Sequence, residues 1–319
     1  MTKVAFIGTV ISSYHALEEL IQNGVEITSV FTLAKEHATN VSDFADLTTL
    51  CEDHGVPCHT FKHVSDRSVY EKLTEQKPDY LFVIGLSQIL GEELLQLPKK
   101  GCIGAHPSLL PEGRGRAYIP WTILMEPRVA GVSLFYLDEG VDSGAIIGQS
   151  QFDLAKRETA ITLYMKVADH LRKIIRDITP ALKNGNLEAV PQDESRATYT
   201  AKRVPHDGMI DWDNMNTHEV DKLIRATGYP YPGAYTYYKK QKLIIWRATP
   251  ISSKNYTAIP GQILEKKDDN SVWIKTTDGI LSIEEVGFKG ETLKAGEVVT
   301  AVGHKLGVNL AQLLEEILS

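Results

Sequence analysis

KVAFIGTVISSYHALEELIQNGVEITSVFTL, residues 3–33, decides how the first half of the chain folds. KVAFIG is a short apolar run stopped by Gly8, the pattern of a buried strand. SSYHALEELIQNG then has helical spacing, with Ser12 or Ser13 placed to cap its start and Gly24 to end it. EITSVFTL is strand-like again. Downstream, SDFADLTTLCEDHG and SDRSVYEKLTEQ predict two further capped helices, and DYLFVIG a buried strand. Strand and helix alternating in this way predict a parallel sheet with helices on both faces. The turn GTVISS lacks the GxGxxG spacing, so it reads either as a plain strand-to-helix turn or as a substrate contact, with little support for a dinucleotide site.

The pattern changes after residue 130. GVSLFYL and GAIIGQSQFDL predict strands, and ETAITLYMKVADHLRKIIRDITPALKNG a long amphipathic helix ending at Gly185. PQDESRATYTAKRVPHDG is polar and irregular and reads as a linker. A short helix, THEVDKLIRAT, and the turn GYPYPGAY follow. Closely spaced strands (YTYYKK, KLIIWRA, GQILEK, SVWIKTT, GILSIEEV) then suggest a small β-barrel or sandwich, and GVNLAQLLEEILS a closing helix. The expected fold class is α/β, a Rossmann-like, mostly parallel sheet flanked by helices, followed by a small OB-like β-barrel. The expected division is a domain over 1–190, a linker over 191–205 and a second domain over 206–319.

A length of 319 residues is long for one hydrophobic core, which favours two domains. The net charge of −7 weighs against a protein built mainly to grip nucleic-acid phosphates. Cys51, Cys58 and Cys102 form neither an even set nor a CxxC pair, so no disulfide framework or zinc site is legible. No metal site is expected, since no His/Cys cluster has ligand spacing. The N-terminus lacks a signal-peptide pattern and no apolar run reaches the roughly 18 residues of a membrane span, so a cytoplasmic protein is expected.

The chemistry-bearing residues gather in two loops. His106 follows GCIGA, where a strand should end, and ligands bind at the carboxyl ends of strands in such sheets. Pro107 and Pro111 stiffen its loop. LDEGVDSGAI, residues 137–146, places Asp138, Glu139 and Asp142 in a glycine-bracketed turn between two strands. Such a turn ordinarily just caps and solvates. Brought beside His106, one of its carboxylates would orient the imidazole and raise its basicity. Arg114 and Arg116 read either as a phosphate grip or as surface ion-pair formers, and Lys202 and Arg203 as a substrate contact or a solvated linker pair. Tyr229 and Tyr231 read as packing residues rather than as a stack for a base.

HPSLLPEGRGRAYIPW (106–121) followed by LDEGVDSG (137–144) resembles the formyltransferases that use N10-formyltetrahydrofolate, and IDWDNMNTHEVDKLIRATGYPYPGAYTYYKKQKLIIWRA (210–248) resembles their C-terminal domain. The resemblance covers nearly the whole chain. It implies His106 and Asp142 as the catalytic pair. His106 would steady the developing oxyanion or shuttle the amine's proton, and Asp142 would orient it. It also implies a pterin slot from Ile84, Gly85, Leu86, Gln88 and Leu110 with Asp138, Glu139, Gly140 and Val141, and substrate contacts from Ser108, Arg114, Arg116, Lys202 and Arg203. Where the family's motif begins with asparagine, this chain has Gly104, which removes a side-chain donor to the formyl oxygen. LAKEHATNVSDFADL (33–47) sets Lys35 against Glu36, Asp43 and Asp46, where the tRNA-acting branch carries a basic insertion. The acceptor implied is therefore a nucleotide-linked amino sugar rather than methionyl-tRNA, with the branch's homodimer as an option. Hydrolysis of the formyl-folate, or binding without turnover, stay open because of Gly104.

Overall fold

The structure of the chain, a computed structural model, describes residues 2–252 and 256–307. The closing helix expected from GVNLAQLLEEILS lies outside the described residues, apart from Gly307. Contacts divide the chain into two compact units. One comprises Met1–Thr122, Glu126–Lys156 and Thr162–Lys202, and the other Ile123–Met125, Arg157–Ile161 and the chain from Arg203 on.

In the first unit the strands are β1 (Lys3–Gly8), β2 (Glu26–Leu33), β3 (Cys58–Phe61), β4 (Tyr80–Ile84), β5 (Cys102–His106), β6 (Arg114–Gly115), β7 (Val129–Tyr136), β8 (Ile146–Asp153) and β9 (Tyr199–Thr200). Seven of them form one sheet in the order β3-β2-β1-β4-β5-β7-β8, and β6 and β9 make a separate parallel pair. β1 to β5 run parallel, and β7 and β8 add on antiparallel. The intervening helices are α1 (Ile11–Gln22), α2 (Thr48–Asp53), α3 (Arg67–Gln76), α4 (Glu92–Leu95), α5 (Tyr118–Met125) and α6 (Ala160–Asn184). β1 and β4 carry no exposed residue beyond Lys3, as central strands covered on both faces should.

Local chemistry sets several boundaries. α1 starts at Ile11, before the two serines expected to cap it. Ser13 instead sits one turn in, where its Oγ accepts from Thr9 N and Val10 N and donates to the Ile84 carbonyl. α2 is shorter than expected because Asp46 accepts hydrogen bonds from Thr48 N and Oγ1, fixing the helix start there. α6 runs to Asn184 and is ended by Gly185 at φ +71°. Pro180 lies inside it.

The order of strands reverses at β1: the chain leaves it for β2 on one side and returns through α3 to β4 on the other. The carboxyl ends of β1 and β4 therefore form the switch point, where open α/β sheets hold their ligands. Thr9 Oγ1 donates to the Gly85 carbonyl across this point.

The second unit contains α7 (Thr217–Thr227), β10 (Ala234–Tyr238), β11 (Gln241–Ile251), β12 (Ile263–Lys266), β13 (Val272–Lys275), β14 (Ile280–Phe288), β15 (Glu291–Lys294) and α8 (Ala295–Val298). Its antiparallel sheet runs β10-β11-β14-β13-β12, with β15 also on β14. α7 has an Asn216 cap, whose Oδ1 accepts from Glu219 N while the Glu219 carboxylate accepts from Asn216 N. Val220, Leu223 and Ile224 of this helix join Leu243, Ile245, Val272, Ile274 and Leu281 of the strands in one buried cluster.

Candidate active site

His106 is the last residue of β5 and only 7% exposed. Its Nε2 lies 2.7 Å from the Gly113 carbonyl, which can only accept, so Nε2 carries the hydrogen. Its Nδ1 lies 3.4 Å from Asp142 Oδ2. The Tyr118 ring packs beside the imidazole, 5.8 Å between centres. Burial pushes the imidazole below its ordinary range, against the Asp142 charge and the Gly113 carbonyl, which both pull it up. Burial thus favours the uncharged ring, with Nδ1 facing the carboxylate. A proton arriving on Nδ1 would turn that facing pair into a charge-assisted hydrogen bond.

Asp142 reaches this position against the run of the strands. Tyr136, at the end of β7, is opposite Ile103, whereas His106 is opposite Ser133. The turn after β7 must therefore double back by about three residues of strand, ~10 Å at a strand's rise. Gly140 and Gly144 allow it, and Asp142 itself adopts φ +51°. Asp142 Oδ2 also accepts from Gly115 N at 2.8 Å. His106 and Asp142 are both held by the segment 113–116, one through Gly113 and the other through Gly115.

That segment is braced by residues whose composition suggested a linker. Arg114 N donates to Thr198 O, Arg116 N to Thr200 O, and Gly113 N to Thr198 Oγ1. Gly115 must be glycine, because a Cβ there would overlap the Thr200 carbonyl. No local signal in the sequence marks these partners, which lie about 85 residues away.

Position 104 explains itself geometrically. A Cβ on Gly104 would meet Leu137 Cδ2 at 2.5 Å and Leu137 Cγ at 3.1 Å. Leu137 packs into the cluster of Val83, Leu81 and Cys102 and fills the room an asparagine would need.

The other expected site residues fare differently. Gly85 takes φ +63°, with Val10 packed where a Cβ would be, and Leu86 is half-buried beside it. Ile84 and Leu110 are buried at 1% and 3%, so only their backbones can offer contacts. Gln88 has both ends of its amide engaged, accepting from Val64 N and donating to Lys62 O. Asp138 Oδ1 accepts from Gly140 N and Ser143 Oγ, a turn-forming role. Glu139, Gly140 and Val141 are exposed. Ile89, not singled out from sequence, is 90% exposed in the loop after β4.

Two assignments need correction. Arg114 is no phosphate grip: it is 1% exposed, and its five N–H donors go to Gln192, Glu194 and Tyr199. Ser108 is fully buried and cannot touch a substrate. Arg116 is exposed and donates from Nη2 to the Ser87 carbonyl, tying the loop after β4 to the loop after β5. Lys202 is exposed at the end of the first unit, while Arg203 opens the second and donates to the Asp207 carbonyl. Tyr229, read as a packing residue, is 63% exposed. It lines a cavity of about 530 Å³ in the second unit with Arg157, Trp246 and Arg247, and no residue of the His106–Asp142 site borders that cavity. Among the described residues no three His, Cys, Asp or Glu side chains are grouped to hold a metal, and no helix is long and apolar enough to cross a membrane.

Known proteins share this architecture. Over 292 residues the chain is 33% identical to a methionyl-tRNA formyltransferase of Alkaliphilus oremlandii (strain OhILAs), covering 91% of this chain and 93% of that protein. HypX from Aquifex aeolicus, solved with tetrahydrofolic acid, matches 93% of this chain with a TM-score of 0.69 at 18% identity. This chain spans only 46% of that longer one. An N-formyltransferase from Helicobacter canadensis, solved with folinic acid and dTDP-3-aminofucose, matches 89% of this chain and 99% of its own with a TM-score of 0.63 at 19% identity. The formyl transferase model matches residues 2–179 and the model of the formyl transferase C-terminal domain matches residues 203–301. With both matches in sequence, the chain belongs to the formyltransferase family and is a formyl-transferring enzyme.

Proposed function

We propose that the enzyme moves a formyl group from N10-formyltetrahydrofolate to the amine of a nucleotide-linked amino sugar, with Asp142 and His106 handling the amine's proton. The observation that carries the chemistry is the buried imidazole with one nitrogen spent on Gly113 and the other turned to Asp142. The folate, when bound, supplies an activated formyl carbon. In the loop after β4, Gly85 turns the backbone and Leu86 and Ile89 add apolar side chains, which suits a flat ring with polar edges.

An amine that becomes an amide must lose a proton. The Asp142 side chain is 21% exposed and that of His106 9%, so the carboxylate is the member that meets the acceptor. The proton then rests between Asp142 Oδ2 and Nδ1, where the imidazolium gains its second donor bond. The Nε2 hydrogen is already given to Gly113, which favours the proton-shuttling role of His106 over the oxyanion role. With Gly104 offering no side chain and Leu137 filling the space beside it, the oxyanion's donors come from elsewhere, backbone N–H groups or the exposed Arg116.

The connection after β2 supports a sugar acceptor. Ile11 N donates to Asp43 O, Ala45 N donates to Thr9 O, and Val10 bridges Phe44. These bonds pin residues 43–45 beside the β1–α1 turn, and the exposed Glu36 and Asp46 of the same connection would repel a nucleic-acid backbone. Methionyl-tRNA is the second reading, favoured by the 33% identical relative.

The test incubates purified protein and N10-formyltetrahydrofolate with dTDP- and UDP-linked 3-amino and 4-amino sugars, with methionyl-tRNA, and with no amine. Folate release that depends on an amino sugar supports the proposal, and release that depends only on methionyl-tRNA selects the second reading. Formate release without any amine means a hydrolase, and no turnover means a binding protein. Full transfer by His106→Gln would remove the imidazole from the mechanism.

A further inference from the structure

We propose that Gln192 is a positioning residue that holds Asp142 against His106. The inference deepens the reading in which these two side chains handle the proton. Gln192 Nε2 donates to the Asp142 carbonyl at 2.8 Å and to the Gly144 carbonyl at 2.7 Å. Its Oε1 accepts from Arg114 Nε at 3.1 Å and from Arg114 Nη2 at 2.8 Å. A carboxamide has two donor hydrogens and two acceptor lone pairs, so all four valences are used. The orientation of the amide is fixed by its partners: turned over, its oxygen would face two carbonyls and its NH2 a guanidinium.

These bonds close a ring of contacts around the pair. Gly113 O holds His106 Nε2, and Gly115 N holds Asp142 Oδ2. Arg114 lies between those two glycines and is anchored to Glu194 and Tyr199. Gln192 links Arg114 to the backbone of Asp142 itself. Such a clamp suits Asp142, whose φ of +51° lies in the left-handed region that side chains disfavour. Its turn reaches back along β5, where Gly115 N holds the carboxylate and Gln192 holds the carbonyls of Asp142 and Gly144. Releasing the two carbonyls frees the turn to relax and withdraws the carboxylate from Nδ1.

Gln192→Met keeps the length of the side chain and removes its hydrogen bonds. The His106 Cε1 signal, assigned with His106→Gln, is followed by NMR through a pH titration, which needs no acceptor substrate. Among the groups facing the ring, Asp142 carries the charge. Burial keeps the Tyr118 hydroxyl neutral across this range, and Glu112 is paired with Arg196 at 2.7 Å. In Gln192→Met the proton affinity of His106 is expected to fall about tenfold, one pH unit on the titration. In an Asp142→Asn background the same substitution should move it less than about twofold, since the charge it positions is gone. A purely structural Gln192 would move both titrations alike. Should Gln192→Met fold poorly, Gln192→Leu gives the same comparison, because it removes the same hydrogen bonds and adds no charge beside the pair. An unmoved His106 titration in a folded variant, or an equal shift in the Asp142→Asn background, overturns the proposal. Full formyl transfer by His106→Gln would defeat the proposed chemistry and leave this result standing, so the two failures are distinct.

Discussion

Restoring the asparagine that the family's motif carries at position 104 should harm this enzyme. The Cβ of Gly104→Asn would sit 2.5 Å from Leu137 Cδ2, 3.1 Å from Leu137 Cγ and 3.5 Å from Phe135 Cε1. Carbon atoms rest comfortably at about 3.5–4.0 Å, so Leu137 must retreat by roughly 1 Å. Phe135 is 2% exposed and gives no room on the other side. Overfilling such a site costs about 1–3 kcal/mol, and a carboxamide left unpaired among apolar atoms adds about 1–3 kcal/mol. A net loss of about 2–6 kcal/mol would lower the melting temperature of a unit this size by roughly 4–24 °C. Leu137→Ala opens the space, so the double variant should lose at least ~1 kcal/mol less than the sum of the single losses. The double variant, and not Gly104→Asn alone, should gain formyl transfer. Urea unfolding of the four proteins, followed by circular dichroism, measures the cycle. The reasoning is refuted if Gly104→Asn is as stable as the parent, or if its cost is undiminished beside Leu137→Ala.

Three other outcomes follow from the geometry. Arg114→Lys should fail to rescue the loss of activity and stability in Arg114→Ala, because an ammonium cannot supply five donors in a planar fork; thermal melts should place both variants several degrees below the parent. Burial opposes an ionised Glu19, but hydrogen bonds from Arg176, Arg172 and Asn23 outweigh it and hold its carboxyl down to about 2. A depressed carboxyl stabilises fully above its unfolded pKa and loses that stabilisation as pH falls through the folded one. The protein should therefore lose about 2–3 kcal/mol between pH ~4.5 and ~2, and Glu19→Gln should flatten that part of the denaturation curve. Finally, since burial holds the His106 imidazole below its ordinary range, the acid limb of kcat/KM should lie below pH ~6.5; Asp142→Asn should move the remaining activity's limb lower still, because the lost charge favoured the protonated ring.

The parallel half of the sheet was legible because its code is local. β1, α1 and β2 each declare themselves by an apolar run, a helical spacing and a stop at Gly8 or Gly24. α5 had no such contrast: YIPWTILM is apolar on nearly every side and carries Pro120 near its start. His106 and Asp142 could be picked out as chemistry-bearing types in loops, and the motif joined them. The bracing around them could not be read. PQDESRATYT has the polar composition of a linker, and nothing local shows that Gln192, Glu194 and Thr198 bond to residues 113–116 and 142–144. Arg114 misled for the same reason, since between two glycines it looks exposed and is not.

The second unit is stitched from separate stretches of chain, and this limits how it can be cut or exchanged. Asp221 on α7 pairs with Arg157 at 2.9 Å, and Arg225 reaches the carbonyl of Glu158 at 2.7 Å. A fragment beginning at Arg203 would lack residues 157–161, so Asp221 would keep Arg225 but lose Arg157, and Arg225 would lose the Glu158 carbonyl. During synthesis the five-residue insert leaves the ribosome some sixty residues ahead of its partners and has to wait for them. A chimera that trades C-terminal halves between relatives must therefore carry residues 157–161 along, or leave the Asp221–Arg225 pair without two of its partners.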